Sequence, residues 1–203
     1  MPGQSADGYL DKFKHLFTSP STFFENVKGE GMQNALLTYL ATLIFSQVIG
    51  AIQLLLLPSL FYGRGGMPGA TSPFGSMLSF GLFMIPFQLI ITLLFAFTYT
   101  GAVFLLAKLF KGEGGYSDSF KAVAYSLVPY NIISIVPFIG WLSIFYSIVL
   151  IVIGVKKLHN ISTGKAVTAV LLPALVFMVL LALIISSIII LLVHSYYSPV
   201  MIA

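Results

Sequence analysis

The chain has 203 residues, of which 58% are hydrophobic and only 8% are charged, and its mean hydropathy is +1.01. Soluble domains carry about 25% charged residues, so this composition excludes an ordinary soluble protein and indicates an integral membrane protein. The net charge of +4 comes from basic residues in short segments between apolar runs. Such residues orient membrane spans, and no nucleic-acid partner is expected. The absence of cysteine excludes disulfides, thiolate catalysis and cysteine-based metal sites.

Residues 1–34 are predicted to form a cytoplasmic leader with two short helices. Apolar residues recur at helical spacing in 9–17, with charged residues on the opposite face, which predicts an amphipathic helix on the bilayer surface. The pair Ser19-Pro20 fits the N-cap and first position of a second helix. In that helix, Phe23 and Phe24 are expected to dip into lipid.

Residues 35–203 are predicted to form an all-α transmembrane domain, a polytopic five-span helical bundle. A span needs roughly 20 apolar residues to cross about 30 Å of hydrocarbon. The apolar runs predict spans at about 35–57, 80–107, 120–136, 141–155 and 166–193. The first span is expected to stop at Pro58, and Pro86 is expected to kink the second span or to mark an interfacial piece before it.

The distribution of Lys and Arg predicts the orientation of the spans. The six segments between and around the spans, counted with the span ends beside them, hold 3, 1, 3, 0, 3 and 0 of these residues in chain order. Basic residues are retained on the cytoplasmic side of a membrane. We therefore expect a cytoplasmic amino terminus and a carboxyl terminus outside.

The third and fourth spans form a short central hairpin, and the charge count does not decide how deeply it inserts. Its two basic ends lie on the same side whether it crosses the membrane or only dips into it. The two spans, of about 17 and 15 residues, are at or below the minimum for crossing. A full but shallow crossing, with Trp141 as an interfacial anchor, is favoured over a re-entrant hairpin. A re-entrant turn would need neighbouring spans packed around it.

No catalytic or metal-binding set is recognisable in the sequence. All six acidic residues fall in segments predicted to be cytoplasmic, and the three histidines are scattered along the chain. His159 is expected to be an ordinary interfacial histidine, and no Ser-His arrangement is predicted. No proton path through the membrane, no metal site, no cofactor and no enzymatic activity is therefore expected.

Two amides inside the predicted spans, Gln88 and Asn131, are the candidate polar intramembrane residues. Hydrogen bonds between helices, each worth on the order of 1 kcal/mol or less, are their favoured role. The alternative function is a passive channel or transporter for a small uncharged or lipidic solute that passes along them.

Several motifs, taken together and in order, resemble the Yip-domain family of five-span membrane proteins, which are named for interacting with Ypt/Rab GTPases. The leader supplies Ser19-Pro20 and Phe23-Phe24, and residues 114–129 supply the central series Gly-Gly, Ser, Phe, Ala-Tyr-Ser, Pro. Further matching positions follow at Pro137, Ile139-Gly140, Tyr146, Gly154, His159, Ser162, Lys165-Ala166 and Pro173. The resemblance implies five spans, a cytoplasmic amino terminus and a role in membrane trafficking or organisation.

The leader departs from the pattern of eukaryotic members of this family. Those members have a longer leader with an Asp-Leu-Tyr-Gly-Pro motif, and the most similar sequence in this chain is Asp7-Gly8-Tyr9-Leu10. The short leader resembles the prokaryotic branch, so the expected location is a prokaryotic cell membrane. A small GTPase is consequently the least expected partner.

These observations predict a non-enzymatic membrane scaffold or adaptor. Its expected partners are the lipid bilayer and, by self-association or pairing, another copy or a related membrane protein. The candidate partner-binding residues lie in the leader and in two cytoplasmic loops: Phe23, Phe24, Lys111, Gly114, Gly115, Tyr116, Lys121, Lys156 and Lys157.

Overall fold

The computed structural model describes residues 13–62, 73–136 and 139–197, which form helices and turns and no β-strand. The helices are 13–18 (α1), Pro20–Asn26 (α2), Met32–Tyr62 (α3), Pro73–Leu109 (α4), Tyr116–Ile133 (α5), Ser143–His159 (α6) and Thr163–Tyr197 (α7). Short 3-10 turns occupy Val27–Gly29 and Gly140–Leu142. The all-α prediction is confirmed for this part of the chain. The predictions for Tyr9, Arg64, Pro137 and the carboxyl-terminal tail lie outside the described residues.

Three helices are longer than the spans predicted from the sequence. α3 continues through Pro58 to Tyr62, so the predicted stop at Pro58 is wrong. α4 likewise contains Pro86, and α7 contains Pro173. A proline inside a helix removes one backbone hydrogen bond, whereas ending the helix in lipid would leave several backbone groups without partners. The longer helices are therefore the less costly solution in a membrane.

Four stretches of the described residues are long and apolar enough to cross a membrane: Met32–Gln53, Phe80–Leu109, Gly140–His159 and Thr163–His194. The chain is thus a multi-pass integral membrane protein. α5, which covers most of the predicted third span, is not among them. The count of five spans stays a prediction.

The packed core lies at one end of the bundle, with α5 at its centre. α5 packs against α3, α4 and α6, and α7 packs against α4 and α6. The largest fully buried side chains include Tyr39, Tyr125, Phe24, Phe120, Leu150 and Leu158. By contrast, every residue of α7 from Met178 to His194 is exposed, so this half of α7 contacts no described helix closely.

The two leader helices pack against protein rather than into lipid. Phe23 is 2% exposed and Phe24 is fully buried. The ring of Phe24 lies against Gly154, where a side chain would come within 2.9 Å of it. Phe23 meets Tyr125 edge to face, with 5.1 Å between ring centroids. The expectation that both phenylalanines dip into lipid is wrong, because the glycine in α6 leaves a slot that the α2 aromatic residue fills.

Tyr146 of α6 holds α1 in place. Its hydroxyl donates to the carbonyl oxygens of Leu16 and Phe17 over 3.4 and 3.3 Å. Its ring stacks on that of Phe17, with 6.1 Å between centroids. Leu16 is fully buried, while Lys14 and His15 are exposed. α1 is therefore amphipathic, and its apolar side covers α6.

Candidate functional site

Three connections meet at the packed end of the bundle: residues 27–31 between α2 and α3, residues 110–115 between α4 and α5, and residues 160–162 between α6 and α7. All described Asp, Glu and Lys residues except Lys14 lie in these connections or in the helical turns beside them. We name this region the charged end. It also contains most of the residues predicted to bind a partner.

Lys121 is the central cation of the charged end and is 2% exposed. Its ammonium lies 2.9 Å from Asp118 Oδ1. It donates at 3.3, 2.7 and 3.1 Å to the carbonyl oxygens of Val27, Lys28 and Glu30. Lys121 therefore ties α5 to the connection that follows α2. It was predicted to bind a partner, but its charged group is enclosed in this structure and contacts the chain itself.

Asp118 shares this network. Its Oδ2 accepts a hydrogen bond of 2.9 Å from the amide of Gly115, at the start of α5. Burial raises the pKa of Asp118, but hydrogen bonds from Lys121 and Gly115 and the positive charge of Lys121 outweigh burial and hold the pKa below its ordinary value. Asp118 is thus ionised at neutral pH and balances the buried lysine.

A Ser-His pair links α5 to α6. Ser119 Oγ and His159 Nε2 are 2.7 Å apart, and both residues are fully buried. The expectation of an interfacial histidine is wrong, and the pair was missed because its members lie 40 positions apart. The available signal is helical spacing, since Ile151, Val155 and His159 recur every four residues on the buried side of α6.

The chemistry of this pair is limited by its surroundings. A serine hydroxyl beside a histidine is the arrangement of a nucleophile with its base. Here neither side chain is exposed, and the neighbouring carboxylate of Asp118 is held by Lys121 and the Gly115 amide. In this structure the pair serves to connect two helices.

The loop before α5 closes over His159, and its glycines are required by this packing. A Cβ at Gly112 would lie 2.8 Å from the carbonyl oxygen of Ala107, and one at Gly114 would lie 2.8 Å from that of Leu158. The amide of Glu113 donates to the carbonyl oxygen of His159 over 3.0 Å. Gly114, a predicted partner-binding residue, is buried and holds two connections together.

Other predicted partner-binding residues are more accessible. Lys111 and Gly115 are exposed. Tyr116 is half-buried, and its hydroxyl donates to the carbonyl oxygen of Phe97 over 3.1 Å. Burial raises the pKa of Tyr116, so this hydroxyl stays protonated at neutral pH.

Lys156 and Lys157 line an open depression of about 340 Å³, together with Glu25, Lys28, Asn160 and Ile161. Lys157 forms an ion pair of 2.6 Å with Glu25. Among the described residues, Lys28 and Lys156 form no ion pair, which leaves the depression with a net positive charge. Four of these lining residues were not predicted, because they come from segments more than 130 positions apart or carry no distinctive motif.

The two intramembrane amides are not brought together. Gln88 is exposed on α4. Asn131 is 3% exposed, and its Nδ2 donates to Thr42 Oγ1 over 3.2 Å. Asn131 thus forms the interhelical hydrogen bond that its type favours, while Gln88 lies on an exposed surface of α4.

Comparison with known proteins covers the site and nearly the whole chain. A model of the Yip1 domain matches residues 14–200. No curated protein and no solved structure matches the chain. The matched region includes the described leader helices, the charged end and all four candidate spans. The chain belongs to the Yip1 domain family.

Proposed function

We propose that the chain is a non-enzymatic membrane scaffold or adaptor that binds a partner protein at its charged end. Membership of the Yip1 domain family supports a role in membrane organisation or trafficking. The observation that carries the binding part of the proposal is the depression beside Lys28, Lys156 and Lys157. Its walls come from α2, α6 and the connections beside them, and these elements are packed firmly against one another.

The charge of the depression selects the chemistry of the partner. Glu25 neutralises Lys157, and the remaining charge of Lys28 and Lys156 favours an acidic group. Charges at the rim of an interface mainly accelerate association and select the partner. The partner is therefore a protein with an acidic surface near the membrane, such as a second copy, a related membrane protein or, as the weaker candidate, a small GTPase.

The charged end is proposed to face the cytoplasm. Nine of the ten Lys and Arg residues fall in the first, third and fifth segments between the predicted spans, as expected of cytoplasmic segments, and only Arg64 falls in another. Both ends of the α5–α6 hairpin lie at the charged end, so this orientation holds whether or not the hairpin crosses the membrane. The amino terminus is then cytoplasmic and the carboxyl terminus lies on the opposite side.

The enclosed Ser119–His159 pair supports a role without catalysis. An active site needs a nucleophile or base that reaches its substrate. Both members of this pair are fully buried, and Lys121 holds the nearby carboxylate. In a scaffold, Ser119, His159 and Lys121 would serve to hold the helices beneath the binding surface in fixed positions.

Photo-crosslinking of the full chain in native membranes tests the proposal. A photo-reactive residue replaces Lys156, and the same residue replaces Leu191 as a control in the exposed half of α7. We expect a discrete protein adduct from position 156 and lipid adducts from position 191.

Lys28→Glu should lower the yield of the protein adduct, because it reverses a charge in the depression. The matched variant Lys111→Glu, outside the depression, should leave the yield unchanged. Lipid adducts alone at position 156 would refute the scaffold proposal.

A further inference from the structure

The helices of the bundle differ greatly in length. Only three residues separate the end of α6 from the start of α7, so these two helix ends lie at the same height at the charged end. α6 has 17 residues and α7 has 35, which correspond to about 25 and 52 Å. α7 therefore extends roughly 25 Å beyond the far end of α6.

The exposed residues of α7 locate the hydrocarbon. Ile188 to Val193 are six consecutive aliphatic residues, all exposed, and placing them in water is strongly unfavourable. The hydrocarbon must therefore reach Val193. Its thickness of about 30 Å corresponds to roughly 20 helical residues, which places its other boundary near Ala174. Leu171 and Leu172 are also exposed, so the hydrocarbon extends to about Leu171. Nearer the charged end, the residues that α7 exposes are Thr163, Gly164, Lys165 and Thr168, which is consistent with this boundary.

The tip of the hairpin then lies inside the membrane. Counted from the charged end, Ser143 at the start of α6 is level with about residue 179 of α7, which is roughly 12 Å past the boundary near Leu171. The exposure of α6 agrees with this depth. Trp141, Phe145 and Val149 are exposed apolar residues, whereas no residue from 150 to 159 is exposed. The part of the hairpin that faces lipid is thus about half as long as a membrane crossing requires.

Side chains of the protein donate hydrogen bonds to described backbone carbonyl oxygens on both sides of residues 137–138. Gln53 of α3 donates from Nε2 to the carbonyl oxygen of Ile135 over 2.6 Å. The hydroxyl of Ser143 donates to the carbonyl oxygen of Gly140. Irregular backbone at membrane depth persists only where protein or a wet cavity supplies such partners. α3 continues for nine residues past Gln53, so it extends farther from the charged end than the described part of the hairpin.

We propose that the α5–α6 hairpin is re-entrant, and that with α1 and α2 it forms a wedge in the leaflet on the side of the charged end. Only α3, α4 and α7 then cross the membrane. In the far leaflet the cross-section of the protein consists of three helices. In the leaflet on the side of the charged end the hairpin and the leader helices enlarge this cross-section. A molecule of this shape favours a bilayer that is convex on the side of the charged end. This inference does not depend on the partner proposed above.

Trp141 allows a test with the native chain, because it is the only tryptophan and is 62% exposed at the tip. The full chain is reconstituted in bilayers whose lipids carry bromine at known acyl positions, and the quenching of fluorescence is measured. A re-entrant tip predicts the strongest quenching by bromines near the bilayer centre, about 15 Å from either boundary. Strongest quenching by bromines close to the headgroups would place Trp141 at an interface and overturn the proposal.

The wedge is tested by sorting on membrane tubes drawn from giant vesicles. The chain has no native cysteine, so Thr163→Cys and His194→Cys each introduce a single thiol, at opposite ends of α7. An impermeant maleimide dye is added outside the vesicles. In the Thr163→Cys variant it labels chains whose charged end faces outward, and in the His194→Cys variant it labels chains whose charged end faces inward. We expect the first population to be enriched on the tube and the second to be depleted. Equal partition of both populations would overturn the wedge even if the tip proves deep.

Discussion

At the scale of single residues, the charged end depends on one buried cation. Lys121 holds three carbonyl oxygens and the carboxylate of Asp118, although an exposed lysine was expected there. A buried ammonium is tolerated only when it is paired and fully hydrogen-bonded. Lys121 meets this condition with partners from its own helix and from the connection after α2.

We expect Lys121→Met to destabilise the protein by about 3 kcal/mol, because it leaves a carboxylate and three carbonyl oxygens without their donor. The measurement is the free energy of unfolding of the purified chain in detergent micelles. Lys111→Met removes the same charge from an exposed position and should change stability by less than about 0.5 kcal/mol. Equal effects of the two substitutions would contradict the central role of Lys121.

The pKa of Asp118 predicts a dependence of stability on pH. Because the folded-state pKa lies below the unfolded value of about 3.9, ionised Asp118 contributes stability above that value. This contribution is lost as pH falls through the lowered pKa of the folded state. Unfolding measured between neutral and strongly acidic pH should show this loss, and Asp118→Asn should reduce the slope below about pH 4. An unchanged slope in the variant would show that other carboxylates account for it.

At the scale of elements, the loop before α5 packs directly on the end of α6, with its backbone close to the α6 backbone. Gly114 lies where a Cβ would come within 2.8 Å of the Leu158 carbonyl oxygen and 2.9 Å of His159 Nδ1. The first of these atoms is backbone in a packed helix and cannot move cheaply. The glycine therefore sets how tightly the two connections meet.

Gly114→Ala should destabilise the protein by about 1–3 kcal/mol through this overlap. Gly164→Ala is the matched control, since nothing lies within 4 Å of a Cβ at Gly164 and alanine favours the first turn of α7. Thermal unfolding in detergent should therefore separate the two variants. A Gly114→Ala variant as stable as the control would show that the loop relaxes without cost.

At the scale of the whole molecule, packing and charge are concentrated at the same end. Among the described residues, the ion pairs and the depression belong to the charged end and the buried core lies beside it, while the far half of α7 is exposed and apolar. Protein contacts stabilise one end, and lipid surrounds the other. This asymmetry underlies both the proposed binding surface and the proposed wedge.

The orientation of the molecule can be measured with the same single cysteines in cells. We expect Thr163→Cys to react with an impermeant maleimide only after the cells are opened, because the charged end is predicted to be cytoplasmic. His194→Cys should react in intact cells, since it lies at the opposite end of α7. Labelling of both thiols from one side would show that α7 does not cross the membrane and would refute the predicted orientation.

The class of the protein could be predicted from the sequence by itself. Hydropathy and helical length are local properties, so composition was sufficient to indicate a membrane protein, and long apolar runs were sufficient to locate α3, α4 and α7. The order of loosely spaced motifs was sufficient to identify the Yip1 domain family, which the match over residues 14–200 confirms.

The contents of the charged end were decided only by tertiary structure. Ser119 meets His159 across 40 positions, Tyr125 reaches Glu30 across 95, and Lys157 pairs with Glu25 across 132. No local pattern specifies such partners, because which polar groups become buried together depends on how the helices pack. Lys121, Phe23 and Phe24 resembled surface residues for the same reason. The depth of the hairpin is likewise set by its length relative to its neighbours, a comparison that exists only once the helices stand side by side.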